Sequence, residues 1–148
     1  MKVVIYTDGS VSKNGHSDAY GGWACILQAY RGCEKVSEVE KFGRLSSNNI
    51  TPVTNNRAEM YAIYHALECI EKKCDVEIYS DSELVVKTIN GEYAKRNNLD
   101  LWDMIQHNID RLKGIGCSIS LSWVKGHSSD PLNNRVDKLA SNVKKGII

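Results

Sequence analysis

Two short segments, each an apolar run that leads to an aspartate, constrain the fold of this chain most. The run at Val3–Ile5 leads to Asp8, and the run at Val76–Ile78 leads to Asp81. β-Branched residues are typical of strands and aspartate is not, so each segment predicts a strand that ends on a carboxylate. If the two strands are parallel neighbours in an α/β sheet, their ends meet at one edge and bring the two carboxylates close together.

Carboxylates that lie this close need a partner. They repel each other unless a proton or a cation lies between them. A divalent metal ion, which carboxylate oxygens can hold, is the economical partner. The two segments therefore predict a divalent metal site at one edge of a sheet.

The spacing of apolar residues predicts three further strands and four helices. Strands are expected over about residues 2–8, 23–30, 34–42, 76–80 and 118–123. Helices are expected around the apolar stripes at 60–74, 82–89, 102–112 and 136–143. The order βββαβααβα predicts an α/β fold with a five-stranded mixed sheet, in which three antiparallel strands precede parallel ones and helices flank the sheet.

Two more acids and a histidine are candidates for a functional site. Glu59 lies three residues after Asn56, in the spacing of a capping box at the start of the first helix, and Asp137 lies near the start of the last helix. Acids at helix starts most often serve as caps, and an aspartate after a strand is most often a turn residue. His127 follows a glycine in a polar loop, where a histidine is usually just exposed, although its near-neutral pKa suits proton transfer.

Composition narrows the class of protein. The 148 residues, 42% of them hydrophobic and 25% charged, are consistent with a single domain over residues 1–148. The net charge of +1 does not by itself indicate nucleic-acid binding, which would have to rest on local arrangement. Five cysteines without CxxC spacing favour buried free thiols. The chain shows no secretory signal and no apolar run long enough to span a membrane, so we expect a cytoplasmic protein.

Five segments, taken together and in order, resemble type 1 ribonuclease H across nearly the whole chain. They are TDGS at Thr7–Ser10, TNNRAEM at Thr54–Met60, YSDS at Tyr79–Ser82, WVKGH at Trp123–His127 and NNRVDKLA at Asn133–Ala140. The resemblance implies the ribonuclease H-like fold and hydrolysis of the RNA strand of RNA–DNA hybrids. It also implies a two-metal-ion mechanism that leaves 5′-phosphate and 3′-hydroxyl products.

The resemblance also implies roles for individual residues. Catalytic carboxylates that bind two Mg²⁺ ions, or Mn²⁺ in their place, would be Asp8, Glu59, Asp81 and Asp137, while His127 would assist proton transfer or product departure. Contacts with the hybrid would come from Gly9, Asn14, Thr54, Asn55, Asn56 and Glu83. Thr54 matches part of a pocket for a DNA-strand phosphate, and the alternative role for Asn55 and Asn56 is simple helix capping.

In other respects the chain departs from many bacterial members of that family. Position 83 is Glu where those members often have Gln, and residues 90–101 are short, with only Lys95 and Arg96 in place of a basic protrusion. The chain also resembles members without an N-terminal hybrid-binding domain. We expect a free-standing monomer that needs no organic cofactor. The alternatives are a non-catalytic or partner-dependent hybrid-binding module, the nuclease domain of a larger polyprotein, and a DNA nuclease of related fold.

Overall fold

A five-stranded mixed sheet and four helices form the fold in residues 1–47, 52–125 and 130–147, the parts of the chain that the computed structural model describes. The elements follow the order predicted from the sequence. They are β1 (Lys2–Ser12), β2 (Tyr20–Arg31), β3 (Glu34–Ser46), α1 (Asn55–Glu68), β4 (Asp75–Ser80), α2 (Glu83–Ile89), α3 (Leu99–Gly114), β5 (Ser118–Trp123) and α4 (Pro131–Lys145).

The strand at the centre of the sheet, β1, places the first aspartate beside the second. The strand order is β3-β2-β1-β4-β5, with β1 antiparallel to β2 and parallel to β4. Thr7 lies opposite Ser80, so the residues that follow them, Asp8 and Asp81, lie at the same edge of the sheet. The prediction that β1 ends at Asp8 is wrong, because antiparallel pairing with β2 continues as far as Ser12 after the pairing with β4 has stopped.

Helices cover both faces of the sheet, and the alternation of side chains along the strands explains the division. Ile5 belongs to the larger core, with α1 and α3, whereas the next residue, Tyr6, belongs to a smaller core beneath α4. The larger core contains Met60, Ile63, Leu67, Leu101, Ile105 and Leu112. Helices α1 and α4 therefore approach the edge that carries Asp8 and Asp81 from opposite faces of the sheet.

The start of α1 differs from the prediction. Thr54, rather than an asparagine, is the N-cap, and its side chain accepts a hydrogen bond from the backbone nitrogen of Arg57. The prediction of a capping box between Asn56 and Glu59 is therefore wrong, since α1 begins at Asn55 and Glu59 falls in its second turn. That position turns the Glu59 side chain towards the sheet, where only 8% of the residue is exposed.

The end of α1 also differs from the prediction. The apolar stripe was expected to run to Cys74, but the helix ends at Glu68 with Cys69 as its C-cap. Ile70 and Cys74 are buried all the same, because the connection to β4 packs against the larger core. Their positions continue the helix-like spacing of apolar residues because both are buried, although their backbone is not helical.

The cysteines are free, as expected, but they are not all buried. Cys25, Cys74 and Cys117 are buried, whereas Cys33 and Cys69 are exposed. Within the described segments, no helix has the length and apolar character needed to cross a membrane.

Candidate active site

Three carboxylates from three different elements converge at the edge of the sheet. Asp8 lies on β1, Asp81 directly follows β4, and Glu59 comes from the second turn of α1. One oxygen from each lies within 4.8 Å of the others. Asp8 is 2% exposed and Asp81 is half-buried, so the group is largely withdrawn from solvent.

The fourth acid, Asp137, reaches this group from α4. Its side chain is half-buried, and its proximity raises the pKa of the Asp8 carboxyl group. The start of α4 is fixed to β1, because Asp130 caps the helix by accepting from the backbone nitrogen of Leu132 at 3.0 Å while the Tyr6 hydroxyl donates to Asp130 at 2.7 Å. This hydrogen bond from β1 sets the position of the helix that carries Asp137.

The environment of the acids opposes their ionisation. Burial, followed by the negative charges of Asp81 and Asp137, raises the pKa of Asp8 to about 8, although a hydrogen bond with Glu59 acts in the opposite direction. Burial, followed by the charges of Asp8 and Asp81, raises the pKa of Glu59 well above its ordinary value. Without a cation, the site therefore retains protons that isolated carboxyl groups would have lost at neutral pH.

The carboxylate oxygens of these acids are suitable ligands for a hard divalent cation. Glu59 Oε2 is buried and, among the described residues, is the one buried side-chain nitrogen or oxygen atom without a hydrogen-bond partner. A buried polar atom without a partner is costly, and a cation held between Glu59, Asp8 and Asp81 would supply the missing interaction. Clustered carboxylate oxygens are the ligands that Mg²⁺ prefers.

Four of the residues predicted to contact the hybrid line one polar cavity. Asn14, Thr54, Asn55 and Asn56 surround a volume of about 410 Å³. The Asn14 side-chain oxygen accepts from the backbone nitrogen of Asn55 at 2.7 Å, which ties the loop after β1 to the start of α1. The wall is completed by two residues that the sequence analysis did not select, Asn97 and Asn98. Their signal in the sequence was a pair of asparagines directly before the third helix.

The remaining predicted contacts, Gly9 and Glu83, have partners within the protein. The Gly9 backbone nitrogen donates to Asp8 Oδ1 at 2.8 Å. Glu83 lies in the first turn of α2, and its side chain accepts from Lys87 at 2.7 Å. Glu83 therefore has the structural role expected of an acid at a helix start. His127 lies outside the described residues.

A supporting residue, Trp123, was also missed by sequence reasoning. Its indole nitrogen donates to the backbone oxygen of Asp81 at 3.1 Å, and the next residue, Val124, donates to the backbone oxygen of Ser80 at 2.9 Å. The end of β5 thus holds the turn that presents Asp81. Trp123 is the last residue in the alternating pattern of β5, which predicts a strand there. The pattern does not show which acceptor the indole N–H contacts.

Comparison with known proteins decides the family. The family model for RNase H matches residues 1–145. The chain belongs to the ribonuclease H family. The ribonuclease H of Caldicellulosiruptor saccharolyticus is 37% identical in an alignment of 158 positions, gaps included, that covers 97% of this chain and 97% of the relative.

Solved structures agree with the fold of this ribonuclease H. RNase H1 from the halophilic archaeon Halobacterium salinarum NRC-1 is 27% identical, has a TM-score of 0.66, and matches 99% of each chain. LC11-RNase H1, solved in complex with an RNA/DNA hybrid, is 21% identical with a TM-score of 0.70 and matches 98% of each chain.

Residues 90–98 of this ribonuclease H join α2 to α3 without forming a helix or a strand of their own. Lys95 and Arg96 are both exposed in this connection. The side chain of Asn90 donates to the backbone oxygen of Leu121 at 3.2 Å, which anchors the connection to β5. Lys95 and Arg96 are the two basic residues of this connection, so the basic surface that it offers is small.

Proposed function

We propose that residues 1–148 form a single catalytic domain, a metal-dependent endoribonuclease that hydrolyses the RNA strand of RNA–DNA hybrids to 5′-phosphate and 3′-hydroxyl products. The observation that carries this proposal is the convergence of Asp8, Glu59 and Asp81 within 4.8 Å, together with the unpartnered buried oxygen of Glu59. A protein that only bound nucleic acid would gain nothing from repelling carboxylates beside the phosphates.

The four acids would hold two Mg²⁺ ions, with Mn²⁺ able to substitute. Bound there, such ions would supply Lewis-acid activation of the attacking water and stabilisation of the departing 3′-oxygen. Asp8 would be a ligand shared with each of the other acids, because oxygens of Glu59 and Asp81 lie within 4.8 Å of it and the charge of Asp137 raises its pKa. Ligands must lose their protons to bind a metal ion, so the raised pKa values of Asp8 and Glu59 make metal binding pH-dependent.

The proposed role of His127 is proton transfer or release of the product. A histidine has a pKa near neutrality, so it can take up and give back a proton at the pH at which the enzyme works. This role is inferred from the position of His127 in the WVKGH segment.

The asparagine-lined cavity is the proposed contact surface for the hybrid. Amide side chains both donate and accept hydrogen bonds, so they can contact phosphate oxygens and sugar hydroxyls alike. Such contacts carry little base information and predict cleavage with little dependence on sequence. Discrimination between RNA and DNA must come from the 2′-hydroxyl group. The neighbour that was solved with an RNA/DNA hybrid has the same fold, so this fold is able to seat that ligand.

A second candidate is a hybrid-binding module that needs a partner to hold its substrate. The observation that favours it is the weak basic character of the chain, with a net charge of +1 and only Lys95 and Arg96 in the connection after α2. Affinity for nucleic acid depends mainly on Lys and Arg side chains that neutralise phosphates. A partner that supplied such cations would compensate for their scarcity here.

A panel of labelled substrates tests the proposed function. The purified protein is incubated with an RNA–DNA hybrid, single-stranded RNA, duplex RNA or duplex DNA, each with Mg²⁺, Mn²⁺ or EDTA. We expect metal-dependent cleavage of the RNA strand of the hybrid alone. Binding of the hybrid without cleavage in either metal would favour the partner-dependent module, and cleavage of duplex DNA would contradict the proposed substrate.

A further inference from the structure

A single carboxylate, that of Asp130, joins the start of α4 to the centre of the sheet. One of its oxygens caps the helix by accepting from the backbone nitrogens of Leu132 at 3.0 Å and Asn133 at 3.5 Å. The other oxygen accepts from the Tyr6 hydroxyl at 2.7 Å. The hydroxyl on β1 is therefore bonded to the same group that caps the helix.

The Tyr6 hydroxyl is held in one place and keeps its proton. The residue is 9% exposed, and its ring stacks on that of Tyr79, with centroids 5.0 Å apart and planes 24° apart. Burial, followed by the hydrogen bond to Asp130, raises the pKa of Tyr6, so the hydroxyl remains a donor at neutral and moderately alkaline pH. It is a fixed point on β1 to which α4 is attached.

Two side chains of β1 face two different points on α4. Tyr6 and Asp8 are two residues apart, so they lie on the same face of the strand. Tyr6 contacts Asp130 at the start of α4. Asp8 lies near Asp137, two helical turns further along, whose charge raises the pKa of Asp8. The attachment at the first point therefore influences the separation of the two acids at the second.

Apolar packing alone defines the position of α4 only loosely. The core beneath the helix is small, and hydrophobic contact has no preferred direction, so it holds α4 against the sheet without fixing where the helix begins. Beyond Asp137, α4 approaches β2 closely, because a Cβ atom on Gly22 would lie 2.7 Å from the backbone oxygen of Ala140. Asp137 lies between this contact and the hydrogen bond from Tyr6, so the two together fix its position.

We propose that Tyr6 is a positioning residue for the metal site: through Asp130, its hydroxyl holds Asp137 close enough to Asp8 for the two acids to share a divalent cation. This inference rests on the proposed function, because it concerns the same metal-binding acids. Tyr6 acts through the helix and is not itself a ligand. Removal of its hydroxyl should therefore weaken metal binding at Asp137 while all four acids remain in the chain.

The test is Tyr6→Phe, which removes the hydroxyl and keeps the ring in the core beneath α4. Loss of a group that orients a metal ligand costs about 10- to 100-fold in metal affinity. We expect the Mg²⁺ concentration that half-saturates the shift of the Asp137 carboxyl resonance, measured by nuclear magnetic resonance without nucleic acid, to rise about tenfold. KM for the hybrid should change less than about twofold, because no residue of α4 lines the asparagine-lined cavity.

Tyr79→Phe is the matched control. Tyr79 belongs to the same stacked pair, but its hydroxyl donates to Glu77, on its own strand, at 3.3 Å. This variant should leave the Mg²⁺ titration of Asp137 within about twofold of that of the wild-type protein. If Tyr79→Phe weakened Mg²⁺ binding as much as Tyr6→Phe, loosening of the aromatic pair would explain both effects and the proposal would be wrong.

Asp130→Ser separates positioning from helix capping. Serine caps helices about as well as aspartate, but its shorter side chain has a single oxygen and cannot serve both the helix and Tyr6. We expect the same rise of about tenfold, and Tyr6→Phe should add less than about twofold in this background, because the link that it breaks is already gone. Full additivity of the two effects would overturn the proposal.

The wild-type titration distinguishes failure of this inference from failure of the proposed function. If Mg²⁺ shifts the carboxyl resonances of Asp8 and Asp137 equally well in the wild-type protein and in Tyr6→Phe, the positioning role is refuted and the metal site stands. If only Asp8 responds in the wild-type protein, Asp137 is not a ligand and the positioning role is again refuted. If neither responds, the acids do not form the proposed metal site, and the proposed function fails as well.

Discussion

Gly9 lies so close to α1 that a side chain at this position would collide with the residue that precedes Glu59 and with Glu59 itself. A Cβ atom on Gly9 would stand 2.6 Å from Cβ of Ala58 and 2.8 Å from the backbone nitrogen of Glu59. Real side chains essentially never make contacts this short. Strand β1 can approach α1 closely because residue 9 has no side chain, and this approach lets Glu59 reach Asp8.

Gly9→Ala should therefore damage catalysis more than binding. The methyl group must push α1 and Glu59 away from Asp8, and small displacements of catalytic groups cost about 100-fold in rate. We expect kcat to fall by about that factor while KM for the hybrid changes little. Gly15→Ala is the control, because no atom lies within 4 Å of the position that its methyl group would take, although its positive φ angle makes a small loss of stability unavoidable. Normal kcat in Gly9→Ala would show that the close approach is not required.

Asp8→Asn should abolish hydrolysis and stabilise the metal-free protein. The pKa of Asp8 is raised from 3.8 to about 8, so between these pH values the folded protein binds more protons than the unfolded chain, and the free energy of unfolding falls as pH rises. Each pKa unit corresponds to about 1.4 kcal/mol as an upper limit. Because water relieves part of this penalty, we expect Asp8→Asn to add about 1–3 kcal/mol at pH 8 and much less at pH 4.

Denaturant unfolding in EDTA at pH 4, 6 and 8 measures this effect. Asp103→Asn, on the exposed side of α3, is the control and should change stability little at any of these pH values. A stabilisation by Asp8→Asn that was the same at all three pH values would show that charge crowding is not its cause. Unfolding of the variant would mean that Asp8 is structural.

The sequence predicts the fold best where a residue type favours a single structural role. The β-branched runs before Asp8 and Asp81 predicted two strands, and their parallel pairing brought the two aspartates together. The helix that carries Glu59 was also predicted, but its start was not. Thr54, Asn55 and Asn56 are all good N-caps, so the sequence alone could not select the one that the tertiary structure uses.

The spacing of apolar residues could not predict contacts between segments that are distant in the sequence. Asn97 and Asn98 join the cavity wall because Arg57, some forty residues earlier in the chain, fixes the start of α3 beside α1. Trp123 supports Asp81 through a single indole hydrogen bond. Each depends on side-chain direction after the elements have packed, which spacing along one element does not encode.

Hybrid binding should depend only weakly on salt. Each phosphate that a protein neutralises steepens the fall of affinity with salt, and the connection after α2 offers only Lys95 and Arg96. We expect a higher KM and a shallower slope of log affinity against log salt than in relatives with a basic protrusion. Parallel titrations of this protein and such a relative, from low to moderate salt, provide the measurement. A slope as steep as that of the relative would contradict the prediction.

His127→Ala should slow turnover without removing the metal site. Loss of a proton-transfer group costs about 100-fold at the low end of its usual range, whereas the four carboxylates remain in place. Single-turnover kinetics give the rate, and calorimetric titration with Mn²⁺ checks that metal affinity is unchanged. His16→Ala, in the exposed loop after β1, is the control and should leave the rate unchanged. Turnover at the wild-type rate in His127→Ala would mean that His127 is merely an exposed loop residue.

The most direct test of the central claim compares the wild-type protein with Asp81→Asn on one end-labelled RNA–DNA hybrid in Mg²⁺. We predict that the wild-type protein cuts the RNA strand into fragments with 5′-phosphate and 3′-hydroxyl ends. Asp81→Asn should remain folded, bind the same hybrid and cut nothing. Cleavage by Asp81→Asn at the wild-type rate, or wild-type products with cyclic or 3′-phosphate ends, would contradict hydrolysis at the four-carboxylate site.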